Sequence, residues 1–318
     1  MEKIKIVIAD GDTVFDKDIN PDIFAEFGDL EVWGLSSPEE IKERVKDADI
    51  ILCNKTVIDK SVIDCAPKLK YIGLFATGFN NIDIQYAREK GIEVCNAPGY
   101  STEAVAQHTI AFILALLDRV GEYNRTVLEG DWIKSRTFTY FPLPLSELCG
   151  KTIGIVGYGA IGRRVGDIAK AFGMKVLVNN RRPVNDPSVE QVSFDELLSK
   201  SDIVTMHCPL NEDSKGIMNA EAFAKMKKGA AFINTARGGL VDETALKNAL
   251  ESGHLLGAGV DVLCIEPMTP DCPLYGVENC LITPHIAWAG VETRRRLMGI
   301  VAQNIQCFLN GAPQNVVN

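Results

Sequence analysis

Short apolar runs recur along the first hundred residues, separated by polar stretches with helical spacing. Ile4–Ala9, Glu31–Gly34, Ala48–Cys53, Leu69–Phe75 and Ile92–Cys95 have the length and apolar, β-branched character of buried strands. Between them, Pro38–Lys46 predicts a helix with Ser37 as N-cap and a proline in its first turn. Asp83–Lys90 predicts another, closed by Gly91. Strands alternating with helices imply a parallel sheet covered on both faces, hence a small α/β domain.

Ala97-Pro98-Gly99 breaks this pattern and marks the expected domain boundary. A long helix follows over Ser101–Val120. Its Val105–Leu117 segment is apolar nearly all round, as in a helix buried on several sides at a domain or subunit interface. Trp132–Leu145 is rich in aromatics and prolines and has no period; an arm embracing a second subunit is the expectation there.

The second half repeats the α/β rhythm around one stretch, Lys151–Arg182. The run Thr152–Val156 predicts a buried strand. It ends in Gly157-Tyr158-Gly159-Ala160-Ile161-Gly162, and Ile161, Val165, Ile168, Ala169 and Phe172 then share one helical face. Gly173 stops that helix, and Lys175–Val178 is the next strand. In a strand–turn–helix of this kind, Gly157 permits the tight turn and Gly159 lets a pyrophosphate approach the backbone. Gly162 lets helix and strand pack closely, and the helix N-terminus presents free N–H groups to phosphates. A dinucleotide site is the reading.

Further strands are expected at Asp202–Met206, Ala230–Thr235, Gly257–Val262 and Leu281–Thr283, giving six parallel strands in a doubly wound sheet. Asp242–Leu250 is a connecting helix, and Val291–Leu309 is a last amphipathic helix that returns to the N-terminal domain.

Candidate chemistry gathers at the strand ends. A carboxylate about 20 residues past the glycines ordinarily binds the ribose 2′-hydroxyl of NAD. That place holds Asn179-Asn180-Arg181-Arg182, which suits a 2′-phosphate, so NADP(H) is expected to be accepted; a solvated basic turn is the alternative. Arg237, Glu266 and His285 each lie just past a predicted strand, on the edge that faces the nucleotide. Arg237 could hold a substrate carboxylate bidentately. His285 could donate a proton as hydride arrives, and Glu266 beside it would favour the imidazolium. His108 is expected to be a satisfied core or interface residue, and His254 a solvated one. His207 gives way to its neighbours Cys208 and Pro209 as lining of the nucleotide pocket. The Phe75–Asn81 loop, with small residues around Gly78, could present N–H groups to a carboxylate.

The bulk properties narrow the class. A chain of 318 residues with 46% apolar and 24% charged residues suits two soluble domains. A net charge of −9 argues against nucleic acid and anionic membranes. The start MEKIKIVIAD lacks the pattern of a signal peptide, and no apolar run spans a bilayer. Nine dispersed cysteines without paired spacing fit reduced, mostly buried thiols in a cytoplasm, and no metal-ligand spacing is present.

These pieces together resemble the D-isomer-specific 2-hydroxyacid dehydrogenases. The matching stretches are ATGFNNID at Ala76–Asp83, GYGAIG at Gly157–Gly162, NTARGGLVDE at Asn234–Glu243, GVDVLCIEP at Gly259–Pro267 and TPHIA at Thr283–Ala287. Within the family, NAPGYSTEAVAQHT and the stretch leading into GYGAIG look most like glycerate dehydrogenases, or hydroxypyruvate reductases. The resemblance implies two doubly wound parallel-sheet domains. One is a flavodoxin-like substrate domain, 1–98 plus 288–318, and the other a Rossmann cofactor domain, 99–287. It implies Arg237 as carboxylate binder, His285 as acid/base and Glu266 as its partner, with the Ala76-Thr77-Gly78 backbone on the substrate carboxylate. Cofactor contacts would fall on Gly157, Gly159, Ala160, Ile161, Gly162, Asn180, Arg181, Arg182, Cys208, Pro209, Thr235, Ala236, Arg237 and Asp261. The implied activity is NAD(P)H-dependent reduction of hydroxypyruvate- or glyoxylate-type 2-keto acids by a cytoplasmic homodimer. Many members carry aspartate where Asn180 stands, which again points away from strict NAD use. Glutamine at the position of Glu266 marks the formate dehydrogenases, so that branch is disfavoured. A phosphoglycerate dehydrogenase without a regulatory domain and a nucleotide-sensing corepressor are the rival readings.

Overall fold

The apolar runs become strands buried on both faces. In the computed structural model, which describes residues 3–318, β1 is Lys5–Ile8, β2 Asp29–Val32, β3 Ile50–Cys53, β4 Tyr71–Leu74 and β5 Glu93–Cys95. All pair in parallel, in the order β2-β1-β3-β4-β5. Alternate side chains go to opposite cores. Val7, Ile51 and Ile72 pack with Ile41, Val62 and Ala87 from the helices on one face. Ile6, Ile8, Ile50 and Leu52 pack on the other against Leu297, Val301 and Ile305 of the last helix, Val291–Leu309. Burial on both faces is why these strands read as unbroken apolar runs rather than alternating ones. Ser37 caps the helix Pro38–Arg44 through a capping box with Glu40.

The chain divides into two compact units, Met1–Ser101 with Trp288–Asn318, and Thr102–Ala287. The second unit holds β6 (Thr152–Val156), β7 (Lys175–Asn179), β8 (Glu190–Gln191), β9 (Ile203–Met206), β10 (Ala230–Asn234), β11 (Leu255–Val260) and β12 (Cys280–Ile282). They form one parallel sheet ordered β12-β11-β10-β9-β6-β7-β8. The sequence predicts six strands and the structure has seven. The addition is β8, two exposed polar residues on the sheet edge that leave no hydrophobic signal. The fold is α/β with two doubly wound parallel sheets.

Several expectations shift in detail. The long helix ends at Leu117, and a separate helix, Val120–Leu128, starts after Arg119, whose φ is 51°. Glycines on β11 make room for the buried side of the long helix: a Cβ at Gly259 would lie 2.5 Å from the Phe112 ring, and one at Gly257 would lie 2.8 Å from Leu116. The helix after the glycine turn, Ala160–Ala171, buries Gly162, Val165, Gly166 and Ala169, whereas Phe172 at its end is 40% exposed. His254 is half-buried rather than solvated, its Nε2 lying 3.0 Å from the carbonyls of Phe223 and Met226. Of the nine cysteines, all free, only Cys53, Cys95 and Cys280 are buried. No single helix among the described residues is long and apolar enough to cross a membrane; one pair bent by 51°, Thr102–Leu117 with Val120–Leu128, passes on length and composition together. Eight of the sixteen residues in the first of these are buried in the protein core.

Candidate active site

The glycine turn closes β6 with the geometry its residues dictate. Gly157 has φ 94°, and a Cβ there would lie 2.5 Å from the Cys208 nitrogen. A Cβ at Gly162 would lie 2.2 Å from the Gly157 carbonyl oxygen. Gly159, the N-cap of helix Ala160–Ala171, has nothing within 4 Å of such a position. Two glycines are thus required by packing, and the third leaves open space in front of a helix N-terminus whose first residues are Ala160 and Ile161. These residues fit a dinucleotide pyrophosphate.

Around this turn the other strand ends line up in the same sheet. Asn180, just past β7, accepts from the Tyr158 N–H on Oδ1 at 3.2 Å, tying the basic turn to the glycine turn. Arg181 and Arg182 are exposed, and neither has a carboxylate partner among the described residues. Past β9, the enclosed Nε2 of His207 has no hydrogen-bond partner among the described residues. Burial pushes its imidazole down to about 3, so the ring is neutral. Burial likewise raises the Cys208 thiol above its ordinary value. Pro209 accepts the Ser214 hydroxyl on its carbonyl. Thr235, past β10, is buried and its hydroxyl lies 2.9 Å from that of Thr109.

Arg237 sits in the turn after β10, and the sequence offers no hint of what holds it. Asn234, 1% exposed, donates from Nδ2 to the Arg237 carbonyl at 2.9 Å and accepts from the Ala236 N–H at 3.0 Å. Gly238 follows, where a Cβ would lie 2.0 Å from the Leu263 carbonyl. Only glycine lets the arginine turn press this closely on the Leu263–Glu266 loop. The Arg237 side chain is exposed, and its Nη1 donates to the Ala236 carbonyl at 2.7 Å.

Glu266 and His285, nineteen residues apart, meet directly: His285 Nδ1 lies 2.7 Å from Glu266 Oε2. The second glutamate oxygen accepts from the Leu263 N–H at 3.0 Å, which fixes the carboxylate in place. With Nδ1 turned to the carboxylate, Nε2 is the imidazole atom suited to exchange a proton with a substrate.

His285 holds a φ of 55°, a left-handed conformation that costs an L-residue about 1–2 kcal/mol. The turn around it offsets this cost. The His285 N–H reaches the carbonyls of Asp261 and Thr283 at 2.8 and 2.9 Å. The Asp261 carboxylate, 2% exposed as a residue, accepts from Thr283 Oγ1, Ile286 N–H and Ala287 N–H at 2.5, 2.8 and 2.9 Å. Hydrogen bonds to a charged group contribute about 1.5–3 kcal/mol each, so the three outweigh the backbone strain. Asp261 therefore lies beneath the histidine turn. His108 joins this layer, with Nε2 3.0 Å from Thr283 Oγ1 and 3.8 Å from Asp261 Oδ1. Among the described residues no cluster could hold a metal ion.

In the first unit, Ala76, Thr77 and Gly78 follow β4. Thr77 donates from its hydroxyl to the Ala97 carbonyl at 2.8 Å, and its own carbonyl accepts from Asn96 Nδ2 at 2.7 Å. The loop after β3 is fixed separately. Asp10, 2% exposed, accepts the N–H groups of Asn54, Lys55 and Thr56 at 2.9, 2.6 and 2.7 Å.

Residues 110–287 match the NAD binding domain of the D-isomer specific 2-hydroxyacid dehydrogenases. A hydroxypyruvate reductase of Blautia hydrogenotrophica is 43% identical over 99% of this chain and 100% of its own length. The solved structure of the TT0316 protein of Thermus thermophilus superposes with a TM-score of 0.89 at 39% identity, covering 99% of this chain and 100% of that one. That of an NADPH-dependent glyoxylate/hydroxypyruvate reductase from Sinorhizobium meliloti, in complex with citrate, gives 0.85 at 26% identity over 99% and 97%. The chain belongs to the D-isomer-specific 2-hydroxyacid dehydrogenase family. It is an oxidoreductase that uses a nicotinamide cofactor and acts on the CH–OH group of small 2-hydroxy acids.

Proposed function

We propose that this enzyme reduces hydroxypyruvate, with glyoxylate as a second substrate, to the corresponding D-2-hydroxy acid, and so acts as a glycerate dehydrogenase. The observation behind this reading is the 2.7 Å Glu266–His285 pair, held in one sheet edge with Arg237. Bound nicotinamide supplies the hydride. Arg237 is the proposed binder of the substrate carboxylate, through a planar two-pronged donor; backbone N–H groups at Ala76, Thr77 and Gly78 are the proposed carboxylate contacts of the first unit. His285 releases a proton from Nε2 to the keto oxygen, and Glu266 orients the ring through Nδ1. Gly157, Gly159, Gly162, Ala160 and Ile161 receive the pyrophosphate, with Cys208, Pro209, Thr235, Ala236 and Asp261 lining the rest of the cofactor site. The test is cofactor oxidation on adding hydroxypyruvate, with glyoxylate and pyruvate in parallel. Hydroxypyruvate should give the highest kcat/KM; a preference for pyruvate would sink the assignment.

NADPH is the proposed preferred cofactor, on the strength of Arg181 and Arg182 and the missing carboxylate at Asn180. A higher kcat/KM with NADH would contradict it. The working form is proposed to be a homodimer. The Trp132–Leu145 arm is ordered by contacts within the chain, among them Tyr123 Oη to the Leu143 carbonyl at 2.6 Å and Trp132 Nε1 to the Phe138 carbonyl at 3.0 Å. Yet it leaves Ile133 and Phe138 each 89% exposed and Phe141 76% exposed. Apolar side chains clustered this way suit burial against a second copy. Sedimentation at micromolar concentration should give twice the chain mass, and a monomer would refute the arm's role. The cytoplasm is the proposed location; recovery of the protein in a membrane fraction would contradict that.

A further inference from the structure

The basic turn after β7 is gripped by one side chain from the sheet edge. Gln191, on β8, donates from Nε2 to the carbonyls of Asn180 at 2.9 Å and Arg182 at 3.3 Å. Its Oε1 accepts the Val184 N–H at 2.8 Å. All three bonds go to backbone, so the amide brackets Arg181 from both sides and fixes the exit of the turn. Asn180 Nδ2 adds a bond to the Arg182 carbonyl at 2.9 Å. Further along the loop, Tyr158 Oη donates to Asp186 Oδ2 at 3.0 Å, and Asp186 Oδ1 accepts the Ser188 hydroxyl and N–H at 2.5 and 3.0 Å. The Ser188 hydroxyl and N–H, then Tyr158, hold the Asp186 carboxyl down at about 2, so it stays ionised as the anchor of the loop.

We propose that Gln191 is a positioning residue for cofactor choice: its amide holds the Asn180–Arg182 turn in the form that presents Arg181 and Arg182 to a 2′-phosphate. This rests on the NADPH reading above. Two long cationic side chains on an unbraced turn would each lose backbone and rotamer freedom on binding the phosphate. A turn already fixed by three side-chain bonds loses only the side-chain part, and the difference appears as affinity for the phosphorylated cofactor alone. NAD, with a bare 2′-hydroxyl, does not use the guanidinium groups and gains nothing from the clamp.

The experiment measures NADP+ and NAD+ affinity by calorimetry for the wild-type enzyme, the Arg181→Ala/Arg182→Ala double variant and Gln191→Met. The methionine keeps the length of the side chain but makes none of its hydrogen bonds. Gln191 is exposed on an edge strand, so folding should survive; Gln191→Ala repeats the test with less bulk. The expected result is an NADP+ affinity lowered about fivefold to tenfold in both Gln191 variants, with NAD+ affinity within about twofold of wild type. Equal losses for the two cofactors would show a merely structural role and overturn the inference. Unchanged NADP+ affinity in the Gln191 variants, with loss in the arginine double variant, overturns the inference while leaving the NADPH reading standing. A wild-type enzyme that binds NAD+ more tightly overturns both.

Discussion

Replacing His285 with alanine is expected to lower kcat for keto-acid reduction by about 10²–10⁴-fold, the range that a positioned general acid contributes. Cofactor affinity should stay near wild type, because the residues assigned to the pyrophosphate lie at the glycine turn on β6. The alanine removes the only imidazole held against a carboxylate at hydrogen-bond distance among the described residues: His108 faces Thr283, His254 faces two carbonyls, and His207 is enclosed and uncharged. No other ring is placed to substitute. Glu266→Gln should be milder, since an amide oxygen can still accept from Nδ1 and hold the ring in place. Single-turnover reduction with saturating cofactor checks both variants. Normal turnover in the alanine variant would take His285 out of the chemistry.

The second large effect is expected at Arg237. A bidentate guanidinium–carboxylate contact consists of two charge-assisted hydrogen bonds, about 1.5–3 kcal/mol each. Losing it in Arg237→Ala should reduce kcat/KM for the keto acid by about 10²–10⁴-fold, with both a higher KM and a lower kcat. Both terms should move because the same contact binds the substrate and aims its carbonyl. Arg237→Lys keeps a charge but not the planar fork, so it should recover only part of the loss. Steady-state kinetics against substrate concentration separates the two terms. A lysine variant equal to wild type would mean that charge alone is used.

The legible parts of this chain were those with a local signature. Two-faced burial made β1, β3, β4 and β6 continuous apolar runs, and Ser37-Pro38 announced a helix start that the structure shows as a capping box. The helix Val291–Leu309 was readable end to end from its period. The candidate site residues are legible because glycine, arginine, glutamate and histidine fall at strand ends, where a doubly wound sheet collects them.

What stayed hidden depends on contacts between residues distant in sequence or on positions without apolar signal. Two polar residues make β8, and one of them, Gln191, braces the basic turn eleven residues upstream of it. The helix Val120–Leu128 goes unread, because the left-handed φ of Arg119 that separates it from the long helix is a single-residue event. A structural role of Asp261, beside its proposed place in the cofactor site, has no local signature. In the fold its carboxylate accepts bonds from residues 22 to 26 positions further along and shapes the turn that carries His285. The sequence leaves His254 without a visible partner because the Phe223 and Met226 carbonyls it meets come from another helix end.

The proposed chemistry is direct hydride delivery to the keto carbon of a 2-keto acid, with proton donation by His285. The most direct measurement follows a deuterium label from the reduced nicotinamide into the product of hydroxypyruvate reduction. The label is expected on carbon 2 of D-glycerate. Cofactor oxidation that leaves no label at that carbon, or that yields the L-enantiomer, would contradict it.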